Sequence, residues 1–329
     1  MVKSLRENKH RYIVGSLFIL MFIALLSVRM GSVEYSYSRI LNVLFSPEMT
    51  SDKNVVFNIR LPRIAIAALV GANLAVAGAL LQAVMQNPLA DPGLTGVSAG
   101  SSLAAIIVML LFPQYSYLVP VVAFIGGAVA CALVYVLAWK NGIKPIRIIL
   151  AGVAVNAILG GGTSLLSILY SDRIQGVLLW VNGSISGKTW DDVRVLAIYS
   201  VIGLTMAMFC IRKANILQLG DDMSANLGVD TNQYRVMISL VAVFLAAIST
   251  ALVGIIGFVG LIVPHIARLV IGSDYKYMLP FSVIVGSGLL LLGDTFARTV
   301  ARPVELPVGV IMAVVGGPFF LYLLRRGKA

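Results

Sequence analysis

Charge is what this chain most lacks. Of its 329 residues 12% are Asp, Glu, Lys or Arg, while 59% are hydrophobic and the mean hydropathy is +0.95. A soluble globular chain carries roughly 25% charged residues, so there is too little charge here to cover a water-facing surface. An ordinary soluble fold is excluded, and an all-α polytopic membrane protein is expected. Cysteine and histidine are equally sparse, two of each. Cys131 and Cys210 lie inside apolar runs with no metal-site spacing, and read as small buried hydrophobes. His10 sits among basic residues and His265 follows Pro264; neither builds a zinc site alone. No nucleophile–base pair is visible. Nothing therefore predicts an enzyme, a metal or a cofactor.

Deep ionisable groups are missing too. The third to seventh apolar runs carry no Asp, Glu, Lys or Arg in their interiors, and Asp294 is the single deep carboxylate. Ion-coupled carriers usually keep such groups at depth. A transporter or channel working alone is disfavoured on that ground, although backbone carbonyls leave sodium binding open.

What is abundant is hydrophobic length. A membrane span needs about 20 apolar residues. Ten runs are expected, at 12–28, 64–84, 94–112, 118–139, 148–170, 193–211, 236–256, 258–271, 278–296 and 308–324. The run 258–271 is too short to cross alone and is expected to be a half-helix or a steep, protein-buried segment. The first run resembles a signal peptide, but it is long for one and Ser27-Val28-Arg29 is a poor cleavage site, so an uncleaved helix is expected. With the N-terminus inside, the inner face holds 15 of the 25 basic residues, including Lys140, Lys144, Arg147, Arg212, Lys213, Arg235, Arg326 and Lys328. This bias places both termini in the cytoplasm. Scattered basic groups between apolar runs fit membrane topology and do not suggest nucleic acid.

Four stretches stand out. Asn87-Pro88-Leu89-Ala90-Asp91-Pro92-Gly93 breaks an apolar run with two prolines, which cannot continue a helix. Lipid cannot satisfy freed backbone groups, so the break belongs at a surface or in a shielded cavity, with Asp91 capping the turn. Arg60, Arg63 and Arg298 fall on the outer rim, either as snorkelling anchors or as a cluster for a partner's carboxylates. The inner segment from Gln218 to Asp230 reads as a short glycine-bounded helix with acids at its start, a handle for another subunit. Gly183-Ser184-Ile185-Ser186-Gly187-Lys188-Thr189 imitates a phosphate loop but is one residue short and lacks the first glycine, so a re-entrant turn or a short helix outside the fifth span is expected. Glycines within the runs, among them Gly71, Gly78, Gly160, Gly161, Gly257, Gly260 and Gly286, are expected to let helices pack closely.

The run Gly71-Ala72-Asn73-Leu74-Ala75-Val76-Ala77-Gly78, followed by Gln82 and Asn87-Pro88-Leu89-Ala90-Asp91-Pro92, resembles the permease subunits of ABC importers for iron–siderophore complexes, haem and cobalamin. So do Gly257-Phe258-Val259-Gly260-Leu261 with Pro264, His265 and Arg268, and Glu305-Leu306-Pro307-Val308-Gly309 with Gly316-Gly317-Pro318. The resemblance implies a ten-helix permease of the type II importer fold in a bacterial inner membrane, surrounded by lipid. Its partners would be a second permease subunit (a second copy or a relative), two cytoplasmic ATPase subunits and an extracytoplasmic solute-binding protein. Residues matching the docking arginines are Arg60, Arg63 and Arg298. Those matching the ATPase-coupling segment, within 212–235, are Gly220, Asp221, Asp222, Met223, Ala225, Leu227 and Gly228. The cytoplasmic gate would lie near Asn87 and Leu89, and near Pro145 and Ile146, where the small polar residues of some relatives are replaced.

Overall fold

A computed structural model describes residues 2–31, 34–45, 50–140 and 142–325. Arg326 and Lys328, and the side chains of Lys3, Arg6 and Ala225, lie outside the described residues. Among the described residues there are helices and turns and no strand, one isolated bridge between Trp139 and Ile143 apart. In chain order the helices are α1 (Val2–Arg29), α2 (Tyr37–Phe45), α3 (Ser51–Asn54), α4 (Leu61–Val84), α5 (Val97–Leu111), α6 (Val119–Ala138), α7 (Pro145–Leu169) and α8 (Ile174–Val181). They continue as α9 (Trp190–Phe209), α10 (Ile211–Leu217), α11 (Asp221–Asn226), α12 (Thr231–Val253), α13 (Val259–Ile271), α14 (Tyr275–Ala297) and α15 (Val308–Arg325).

Seven helical stretches are long and apolar enough to cross a membrane, and α5, α13 and α15 are shorter apolar helices. The ten apolar runs thus have helices at their positions, though α5 is shorter than the run 94–112 suggests and α4 is reached through a π turn from α3. Among the described residues five short helices, α2, α3, α8, α10 and α11, lie between the runs; α11 is the one of them expected from sequence.

Local chemistry sets the helix starts. Thr189 and Asp192 form a reciprocal capping box on α9, and Asp230 accepts hydrogen bonds from the Asn232 and Gln233 amides at the start of α12. Pro145 occupies the first turn of α7, where its missing N–H is no loss. Pro264 is different, because it lies inside α13 and frees the carbonyl of Gly260, four residues earlier. The Gln82 side-chain amide of α4 donates to that carbonyl at 3.2 Å. One proline is thereby repaired by a glutamine from another helix.

The bundle has a centre and a perimeter. In α4 and α12, 78% of the apolar window is buried within the chain, against 11% in α1 and 17% in α7. Backbone contact holds the centre together: a Cβ added at Gly71 would lie 2.2 Å from the Gly286 carbonyl oxygen, so α4 and α14 touch where neither can carry a side chain. Gly160, Gly161 and Gly257 correct the packing expectation for themselves, since nothing lies within 4 Å of a Cβ placed there. Gly160 and Gly161 lie instead on α7, whose Ile146, Leu150, Val153, Ile158 and Leu165 are exposed.

Helices α12, α13 and α15 meet the α8–α9 connection in a junction of non-helical backbone. Ser184 N donates to Val253 O and Gly309 N donates to Gly183 O, at 2.8 and 3.0 Å. Gly183 and Gly254 both have positive φ, 69° and 78°, a conformation in which L side chains are strained. Here lies the start of the phosphate-loop imitation; its backbone is committed to neighbouring segments, consistent with a turn.

Candidate functional site

Two ionic clusters lie at opposite ends of α4. At its start, Arg63 donates through Nε to both oxygens of Asp294 at 3.0 Å and pairs with Glu305 at 2.6 Å. Arg298, one turn after Asp294 on α14, approaches the same carboxylate at 3.3 Å and donates to the Ser27 carbonyl and hydroxyl at 3.1 and 2.6 Å. Arg60 donates to the carbonyls of Val28 and Arg29 at 2.6 and 2.9 Å and lies over the Tyr35 ring. Two arginines therefore meet the last carbonyls of α1, where positive charge is favoured.

These contacts correct the expectation of a rim-exposed triad. Arg60, Arg63 and Arg298 do converge, but they are 4%, 5% and 3% exposed and turn inward. The physical reason is Asp294: a carboxylate with no exposed surface requires cations and hydrogen bonds around it. Asp294 is thus not an isolated deep acid. Farther out, exposed pairs surround this end, Arg302 with Glu34 and Arg39 with Asp52, each hydrogen bond and charge holding its carboxyl below the usual carboxylate range.

At the other end of α4 the chain turns through Gln86, a non-glycine residue at φ 47°. The Asn87 side chain accepts from the Leu89 amide at 2.9 Å, and Asp91 accepts from the Gly93 amide at 2.8 Å. Asp91 caps a 3-10 turn (Pro92–Thr95), the holding role expected for it. Gln82 donates to Ala90 O and Asn156 of α7 to Gly93 O, so neighbouring helices fasten the break on both sides. Pro145 and Ile146 begin α7, with Ile146 exposed.

Arg235, near the start of α12, is 1% exposed and its guanidinium joins three segments. It donates to Val84 O at 3.3 Å, to Ile143 O at 2.8 Å, and to the Asp221 carboxylate of α11. Val84 stands three residues before Asn87 and Ile143 two before Pro145, so one side chain links both expected gate segments to the expected coupling helix. Asp221 also accepts from the Gln86 amide at 3.0 Å. On α11 and its flanks Asp222, Met223 and Leu227 are exposed, between Gly220 and Gly228 at positive φ. Sequence reasoning missed Arg235 by counting it only as an inner-face charge. The available signal was its position directly against the start of an apolar run, where an arginine calls for partners.

Among the described residues no three His, Cys, Asp or Glu side chains gather as a metal site. What the described residues display is two charged clusters joined by glycine-packed helices.

The family model described as the FecCD transport family matches residues 19–326. The chain is 41% identical to the Fe(3+)-citrate import system permease protein YfmD of Bacillus subtilis, covering 95% of this chain and 94% of that one. It is 38% identical to the iron(3+)-hydroxamate import system permease protein FhuG of the same organism, covering 98% and 99%. A solved metal-chelate type ABC transporter in an inward-facing conformation superimposes with a TM-score of 0.84 at 26% identity, over 96% of this chain and 99% of that one. With its ten apolar helices and a family match over nearly all of its length, the chain belongs to the FecCD transport family.

Proposed function

We propose that this chain is the membrane permease subunit of an ABC importer that moves a ferric chelate, citrate- or hydroxamate-like, across a bacterial cytoplasmic membrane. Two cytoplasmic ATPase subunits supply the energy and a solute-binding protein supplies the cargo. The observation that carries the mechanism is the grip of Arg235 on Val84, Ile143 and Asp221. Nucleotide-driven closure of the ATPases pushes on α11 through exposed Met223 and Leu227. Asp221 passes that displacement to Arg235, and Arg235 moves the turn at Asn87–Leu89 and the start of α7 at Pro145–Ile146 together.

A second permease subunit seats against the open small-residue face of α7, and cargo passes along that interface. Charge-poor walls favour release, because a bound chelate finds no fixed ion to hold it. Both termini and α11 face the cytoplasm, an orientation the basic bias supports. The Arg63 end then faces outward and receives the binding protein. Arg60, Arg63 and Arg298 serve docking there by fixing the ends of α1, α4 and α14 under the surface that is contacted.

Reconstitution tests this: the complex in vesicles with its binding protein should import ferric citrate or a ferric hydroxamate only with ATP inside. Uptake driven by an ion gradient without ATPase subunits would sink the reading. Arg235→Gln should leave ATP hydrolysis measurable while uptake falls at least about tenfold, the change expected when a part acts only in transmission.

A further inference from the structure

A cavity of about 480 Å³ lies between α6 and α12, and apart from Ile143 its lining is not used by the transport reading. Its wall is formed by Cys131, Tyr135 and Trp139 on one helix and Val236, Ser239 and Val243 on the other. Val136 and Leu240 at its edge are exposed, so it opens on the perimeter of the bundle. Phe244, the residue after Val243, meets Phe124, one turn before Ala128, edge to face with ring centres 6.0 Å apart. Inside, the Tyr135 and Ser239 hydroxyls bond to each other, leaving an otherwise apolar slot.

Basic residues lie close to the lining at the Trp139 and Val236 end. Trp139 and Ile143 line the cavity and are followed by exposed Lys140 and Lys144. Val236 lines it and is followed by Met237, whose sulfur lies 3.5 Å from Lys213 Nζ. Arg147 donates to the Lys140 carbonyl at 2.8 Å. The carboxylates nearby are engaged: Asp230 caps α12 and Asp221 holds Arg235. Trp139 is exposed and follows the last residue of α6, and indole rings favour the membrane interface.

We propose that this groove is a binding site for an anionic glycerophospholipid, one acyl chain lying in the slot and the phosphate meeting Lys140 and Lys213. An apolar slot under a cationic rim matches a lipid with a negative headgroup. A second copy of this chain fits poorly, because two-fold pairing through the same patch would set one basic rim against another. The inference needs the membrane placement of the chain and no part of the cargo assignment.

The test uses the full complex purified from vesicles holding phosphatidylglycerol and phosphatidylethanolamine in equal amounts, with retained lipid weighed by native mass spectrometry. The wild type should retain phosphatidylglycerol in clear excess. Ala132→Phe, which places a ring in the slot, should lose both lipids while its thermal unfolding in lipid-free detergent stays unchanged. Lys140→Gln with Lys213→Gln should keep an acyl chain but lose the preference, by roughly fivefold per lysine. A diazirine-bearing phosphatidylglycerol should label the peptides holding Ala128 and Val243. Equal retention of the two lipids by the wild type, undiminished lipid in Ala132→Phe, or labelling confined to other helices each overturns the site.

Discussion

The two ends of α4 solve the same problem, a buried arginine, in opposite ways. At the Arg63 end the cations meet carboxylates that are themselves fully or largely enclosed: Asp294 has no exposed surface and Glu305 about a third of its side chain. At the Arg235 end the guanidinium meets two backbone carbonyls and a single carboxylate whose side chain is 46% exposed, carried on a six-residue helix. The first arrangement locks three helices against one another. The second couples pieces that can part, because water can take over from Asp221 at small cost. The clamp and the proposed transmitter thus differ in where the acid sits.

The sharpest way to break this contrast is Asp294→Ala. It leaves two buried guanidinium groups sharing Glu305, and removal of one partner of a buried pair costs about 3–5 kcal/mol. Thermal unfolding in detergent should show a large drop, and wild-type stability would mean the Arg63 end is no clamp. Next in size is Gly71→Ala, midway between the clusters. With the Gly286 carbonyl 2.2 Å from the new methyl, a separation of α4 from α14 should cost about 1–3 kcal/mol and lower uptake by loosening the rod that joins the two ends.

Asp221→Asn sharpens the contrast from the other side. Half exposed, this acid should contribute about 1 kcal/mol or less to stability, yet its loss should cut uptake per ATP hydrolysed as strongly as Arg235→Gln. Equal losses of stability in Asp221→Asn and Asp294→Ala would erase the distinction. Smallest of all is Arg302→Gln. Arg302 holds Glu34 below the ordinary carboxylate range, so any support from the pair is present above that range and disappears as pH falls through the lowered value. For so exposed a pair the melting temperature should move little at neutral pH, and either added salt or a pH below the lowered value should abolish that difference.

Much of this was legible in the chain, and the limits have physical causes. Hydrophobic length placed the ten apolar helices, because each lipid-crossing helix must satisfy its own backbone hydrogen bonds. The acids after Gly220 and the flanking glycines announced α11. Two things were hidden. The direction in which Arg60, Arg63 and Arg298 point depends on Asp294, 231 residues from Arg63 in sequence, and no local pattern reveals that pairing. The role of Arg235 was equally obscured, since two of its three partners are backbone carbonyls, which every residue possesses. Gln82 was visible within a motif, but its repair of Pro264 required knowing that α4 and α13 touch.

The junction where residues near Gly183, Gly254 and Gly309 cross carries a practical consequence for genetics. A Cβ at Gly254 would fall 1.8 Å from the Trp180 carbonyl oxygen, and one at Gly309 2.2 Å from that of Asn182. Its information resides in atoms the residues do without. Screens that truncate side chains will pass over this spot in silence, and only substitutions that add a carbon will reveal it, as a cluster of severe alleles at positions that look featureless.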